Sequence, residues 1–149
     1  MLGGAAVQGQ ANRTAEEVAR LLTAHRADYV KGDADAWAAM YAEDALVVGV
    51  ANYQRVLEGR PAIREYVAQV MREFPTRTAD PSNIRVRVYN EKTTPTVITT
   101  LDDHGSRTDA AGRKVSLNFR ETLVWTKIQG KWLIVTHQAS PLPAPNAAQ

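Results

Sequence analysis

The stretch RETLVWTKIQGKWLIVTHQAS, Arg120 to Ser140, decides the architecture. It reads as two β-strands joined by a short turn. Thr122, Leu123, Val124 and Trp125 suit a pleated, half-buried surface, and so do Leu133, Ile134 and Val135. Between the two runs, Ile128-Gln129-Gly130-Lys131 supplies a glycine that takes positive φ at little cost. Side chains alternate along a strand, so Phe119, Glu121, Leu123 and Trp125 share a face. By the same rule Leu133, Val135, His137 and Ala139 are expected to share a face of the second strand. A glutamate and a histidine among such neighbours need partners, water or an altered pKa, and function is expected there.

Moving toward the N-terminus, Val115–Thr126 is read as the whole of the strand before the turn, and Asp102–Gly112 as a polar hairpin loop. Thr94–Leu101 is another strand, with Pro95 placing its start at an edge or bulge. Ile84, Val86 and Val88 alternate with Arg85, Arg87 and Tyr89, a strand with one face wet or at an interface. Ile63, Tyr66, Val67, Val70, Met71 and Phe74 follow helical periodicity, with Pro61 in the first turn and Pro75 as the stop. Ala51–Glu58 reads as a polar loop after an apolar strand, Ala45–Val50. Thr14-Ala15-Glu16-Glu17 has the form of a capping box and predicts a helix start. Val18, Leu21, Leu22, His25 and Tyr29 then lie on one helical face, and Gly32 closes that helix. Asp33 caps a short second helix carrying Trp37, Met40 and Tyr41 on its inner side. The order ααβαββββ argues an α+β fold, three helices against an antiparallel sheet.

The 149 residues fit a single domain, expected over 14–143, with a flexible N-terminus at 1–13 and a flexible Pro/Ala-rich tail at 144–149. A net charge of +2 without clustered Lys or Arg argues against a nucleic-acid partner. There is no cysteine, which excludes disulfides, thiolate catalysis and Cys-ligated zinc. No apolar run approaches the ~18 residues of a membrane span, so no membrane partner is expected. The opening LGGAAVQGQA lacks a basic n-region and reads as a floppy terminus rather than a trimmed signal peptide, which favours a cytoplasmic location over export. No P-loop, dinucleotide fingerprint, nucleophile elbow or HExxH is present, so no cofactor is expected. His104 with Asp102, Asp103 and Asp109 matches no EF-hand or zinc spacing and reads as a solvated turn, not a metal site.

The segments KGDADAWAAMYAEDALVV (31–48), LEGRPAIREYV (57–67) and RETLVWTKIQGKWLIVTHQASP (120–141) resemble the nuclear transport factor 2-like superfamily. Within it the chain is similar to SnoaL-like domains and to the association domain of calcium/calmodulin-dependent protein kinase II. The resemblance implies a cone: a strongly curved sheet wrapped around helices, leaving a pocket at one end. It implies no single activity, because the superfamily hosts isomerases, dehydratases, cyclases, epoxide hydrolases and non-catalytic assembly domains. The first-helix tyrosine of ketosteroid isomerases matches His25, their general-base aspartate matches Gly49, and their second oxyanion-hole acid matches Glu121. The pocket arginines of the kinase domain match Thr100, Leu123 and Ala139, which removes that anion site. The family's paired last-strand histidines match Thr136 and Gln138, with His137 between them.

The expected site is therefore a convergence of His25, Glu121 and His137, with Tyr29 as a possible oxyanion stabiliser. Tyr41, Phe119, Leu123, Trp125, Val135 and Ala139 are expected to line the pocket. Such a group suits an isomerase, lyase, cyclase or epoxide hydrolase acting without a cofactor on a small, mostly neutral hydrophobic molecule. The alternative is a non-catalytic ligand-binding or association domain in which His25 merely satisfies Glu121. A homodimer through the outer face of the sheet is the expected assembly, with larger rings open. Arg85, Arg87 and Arg120 would lie on that face.

Overall fold

The computed structural model describes residues 4–50 and 55–143, without the side chains of 4–10 and 50. Three helices, α1 (Gly4–Lys31), α2 (Ala34–Ala39) and α3 (Arg60–Glu73), accompany nine strands. These are β1 (Tyr41–Val50), β2 (Arg55–Glu58), β3 (Thr76–Thr78), β4 (Pro81–Tyr89), β5 (Thr96–Asp103), β6 (Ser106–Thr108), β7 (Lys114–Ser116), β8 (Phe119–Ile128) and β9 (Lys131–Pro141). Six strands form a main sheet in the order β2-β1-β9-β8-β5-β4, and β3-β6-β7 form a small one. The fold is an α+β arrangement with a curved, unclosed, mostly antiparallel sheet over three helices.

The hairpin at the centre follows from its turn. Gln129 and Gly130 both have positive φ (51° and 79°), the two-residue geometry whose twist matches the flanking strands. Pairing of β8 with β9 then runs from Ile128↔Lys131 to Phe119↔Pro141, broken by a bulge opposite Val124/Trp125. That bulge absorbs Val135: Trp125 pairs with Ile134, and Val124 with Thr136. One extra residue reverses the alternation. Trp132, Ile134 and His137 are therefore the buried residues of β9, and Leu133 and Val135 are only partly covered.

Several expected boundaries move. α1 already runs from Gly4, so Thr14 lies inside it; its hydroxyl donates to Glu91 Oε1 at 2.6 Å instead of capping a helix start. Tyr41 opens β1 instead of closing α2, because Met40 O accepts from Ile134 N (2.8 Å) and Tyr41 falls in register with Ile134. β1 lies parallel to β9, against the all-antiparallel expectation. The loop expected over Ala51–Glu58 contains β2, and Ala51–Gln54 lie outside the described residues. Asp102–Gly112 is not a simple loop: Asp102 and Asp103 finish β5, β6 follows, and the expected strand from Val115 is divided into β7 and β8.

Other local signals act as anticipated. Asp33 Oδ1 accepts from Ala36 N (2.9 Å) at the start of α2. α1 ends at Gly32 (φ 85°), whose N–H and that of Asp33 return to Tyr29 O (3.3 Å) and Asp28 O (3.0 Å), satisfying end carbonyls. Arg77 of β3 takes up three more and shares Tyr29 O: its guanidinium donates to Tyr29 O (2.9 Å), Val30 O (3.2 Å), Met71 O (3.2 Å) and Phe74 O. The last turns of α1 and α3 are thereby tied to the small sheet. The core, including Val18, Leu22, Ile63, Leu101, Leu123, Trp125 and Ile134, fills the space between helices and main sheet. Each large apolar side chain there contributes about 1.5–3 kcal/mol by burial. No helix among the described residues is long and apolar enough to cross a membrane.

Candidate functional site

Between the helices and the inner face of the main sheet the packing leaves a cavity of about 470 Å³. Tyr66, Val67 and Val70 of α3, with Val47 and Leu57, give it an apolar side. Its polar side is built by Arg26 from α1, Asp103 from β5, Glu121 from β8 and His137 from β9.

Asp103, Glu121 and His137 meet because three neighbouring strands present them inward, and Arg26 reaches them from α1. Leu123 pairs with His137 and Glu121 with Ala139, so Glu121 and His137 are diagonal neighbours, while Asp103 pairs with Phe119. His137 Nε2 lies 2.8 Å from Glu121 Oε2, and its Nδ1 lies 2.7 Å from the Tyr41 hydroxyl. Arg26 grips Glu121 with two donors, Nη1 to Oε1 (3.2 Å) and Nη2 to Oε2. Asp103 Oδ1 accepts from the amides of Asp80 (3.0 Å) and Gly105 (2.9 Å), and its Oδ2 is 3.8 Å from Arg26 Nη1.

Burial alone would raise the Glu121 carboxyl, but the charges of Arg26 and His137 outweigh it and hold the group well below the carboxylate range. Glu121 is therefore ionised and acceptor-only, so His137 Nε2 donates to it, while Nδ1 faces the Tyr41 hydroxyl. The Tyr41 phenol is pushed well above its usual value by burial, only partly offset by Arg26, and stays protonated.

The expected site residues separate into two sets. Glu121, His137, Tyr29, Phe119 and Ala139 line the cavity. His25, Tyr41, Leu123, Trp125 and Val135 do not. His25 is fully buried behind Trp37, stacked on it at 4.6 Å, and neither ring nitrogen has a partner among the described residues. Burial, then the nearby charges of Arg26 and His137, push it well below the ordinary histidine value, so it is a neutral core ring. Arg26, one position further along α1, satisfies Glu121 in its place. Tyr41 reaches the site only from behind, through His137. Leu123 and Trp125 are fully covered in the core, where Trp125 Nε1 donates to Thr99 Oγ1 (3.0 Å). Val135 is turned away by the bulge.

Three charged cavity residues escaped the sequence reading of the site: Arg26, Asp103 and Arg107. The signals existed. Arg26 continues the Val18–Leu22 stripe at helical spacing, and Asp103 continues the buried alternation of Val97, Thr99 and Leu101. Asp102, next to it, points the other way: hydrogen bonds from Arg120 (2.7 and 3.0 Å) and Asn83 lower it to about 2. His104 is exposed and pairs with Asn118 (2.9 Å).

The chain superposes on a Xanthomonas campestris protein provisionally named a calcium/calmodulin-dependent protein kinase II association domain, with TM-score 0.67 and 27% identity over 85% of this chain and 86% of that one. It superposes on a provisionally named dehydratase of the nuclear transport factor 2-like family from Streptomyces avermitilis, with TM-score 0.73 and 20% identity over 87% and 97% of the two chains. A provisionally named scytalone dehydratase from Novosphingobium aromaticivorans gives TM-score 0.78 and 15% identity over 91% and 89%. At those identities the last two speak for fold alone. No curated protein shows significant sequence similarity to the chain. Residues 18–145 match the SnoaL-like domain family. With that match across most of its length, on a nuclear transport factor 2-like fold, the chain belongs to the SnoaL-like domain family.

Proposed function

We propose that the protein is an acid/base enzyme acting on a small, mostly apolar molecule, with its own side chains carrying an isomerase-, lyase-, cyclase- or epoxide-hydrolase-type reaction. The supporting observation is the buried His137–Glu121 pair on the wall of a cavity large enough for such a ligand. His137 is the proton carrier in this reading. A proton passes from an O–H or activated C–H of the ligand to the His137–Glu121 pair, and the electron pair stays on the ligand as an oxyanion or enolate. The imidazolium so formed is held by Glu121, whose own charge is balanced by Arg26. Returning that proton to a different atom isomerises the ligand, and returning it to a departing hydroxyl releases water. The Tyr29 hydroxyl, on the cavity wall and polarised by Arg107 Nε at 2.6 Å, is placed to donate to the developing oxyanion.

One observation favours a second reading, a non-catalytic ligand-binding or association domain. Both ring nitrogens of His137 and both Glu121 oxygens already have protein partners, as in a purely structural network. Association through the outer face of the sheet, where Val124 and Leu133 are partly uncovered, belongs to either reading. The test is product formation, followed by mass spectrometry, over enolisable ketones, β-hydroxy carbonyl compounds and epoxides. Turnover in one class, falling about 10²–10⁴-fold in His137→Gln, is the expected result. Ligand binding without turnover in any class would move the protein to the second reading.

A further inference from the structure

We infer that the ligand of this cavity carries a carboxylate and that Arg107 is the residue that binds it. The inference rests on the reading of the cavity as a small-molecule site. Arg107 is half-buried on β6 and lines the cavity. Its Nε is committed to the Tyr29 hydroxyl at 2.6 Å, and its guanidinium carbon lies 5.7 Å from the Tyr29 ring centre and 5.9 Å from that of Phe74. Those contacts hold the plane in place, so little freedom is left to lose when a ligand arrives.

Its other two nitrogens are uncommitted. Among the described residues neither Nη of Arg107 has a hydrogen-bond partner, and no acid lies within 4.0 Å of the guanidinium. The other cationic groups nearby are answered. Arg26 is paired with Glu121 and Asp103, and Arg77 is bonded to four carbonyls. A planar cation with two parallel donors, fixed beside an apolar wall, is matched by a carboxylate on an apolar body. The anion site that the family resemblance places at Thr100, Leu123 and Ala139 is absent here, and Arg107 supplies positive charge from the small sheet instead.

The test compares 2-naphthoate with 2-naphthamide, equal in shape and different in charge, by calorimetry at low salt. The wild type is expected to bind naphthoate about tenfold or more tightly. In Arg107→Gln that preference disappears while naphthamide binding changes less than about twofold, and Arg107→Lys retains part of it. Should the glutamine variant not fold, the wild-type pair still decides, together with the shift of the Arg107 Nε–H resonance on adding naphthoate. Equal binding of the two probes to the wild type, or a preference that survives in Arg107→Gln, overturns the role of Arg107 and leaves the cavity as a neutral-ligand site. If neither probe binds, the small-molecule reading falls, and this inference with it.

Discussion

Arg77 and Arg26 are both withdrawn from water, yet their partners differ in kind. Arg77, 6% exposed, hydrogen-bonds to backbone carbonyls from the final turns of α1 and α3, where the helix dipoles leave partial negative charge. Arg26, with a side chain 12% exposed, meets two carboxylates on the wall of the cavity. The first arginine closes the architecture by bonding end carbonyls of two helices at once. The second sets the charge of a site. A buried cation bound by neutral oxygens marks a joint, and one bound by acids beside a cavity marks chemistry.

The comparison is broken most directly at the joint. Arg77→Met strands carbonyls of two helices and is expected to cost about 3–5 kcal/mol, read as a lower urea midpoint. Ligand binding should follow the folded fraction and nothing more; full stability in this variant would refute the assigned role. Arg26→Met is the next largest effect, about 2–3 kcal/mol at neutral pH, because Glu121 keeps only His137 as a partner and can take up a proton. It also carries a pH signature. The folded Glu121 carboxyl lies below its unfolded value of about 4.3, so the unfolded chain binds the extra proton as pH falls through that range, and wild-type stability drops there. In Arg26→Met this acid-side loss should shrink, and Glu121→Gln added to it should restore part of the stability. Unfolding free energies between pH 3 and 7 measure both. The smallest effect concerns the space around the joint. Gly32 has φ 85°, and a Cβ there would meet Arg77 Nη2 at 2.8 Å, so Gly32→Ala should cost about 1–2 kcal/mol in thermal unfolding.

The joint and the cavity were unequally legible. Gln129-Gly130, Asp33 and Gly32 act over a few residues, so the turn, cap and helix end could be read directly. The Arg77 joint could not, because its acceptors lie on two helices and depend on β3, a three-residue strand with no period to detect. At the site, Glu121 and His137 were visible through alternation. Val135 was misplaced because a bulge obeys pairing with the neighbouring strand, which local pattern does not contain. His25 was preferred to Arg26 because a titratable ring on an apolar stripe looks chemical and a buried arginine looks unfavourable. The carboxylates that make Arg26 tolerable come from strands 77 and 95 positions away.

The parallel contact between β1 and β9 has a consequence for how the protein is made. Val47 sits beside His137 in that pairing, so one wall of the cavity joins residues separated by most of the chain. As the polypeptide leaves the ribosome, β1 emerges with its eventual neighbour not yet translated. Until the last strand arrives, the main sheet lacks its central connection and β1 can pair only with the short β2. Contacts this distant in sequence form slowly, and an unfilled strand edge attracts other chains while it waits. The cavity wall is therefore completed only once β9 has emerged, long after β1, rather than assembled progressively along the chain.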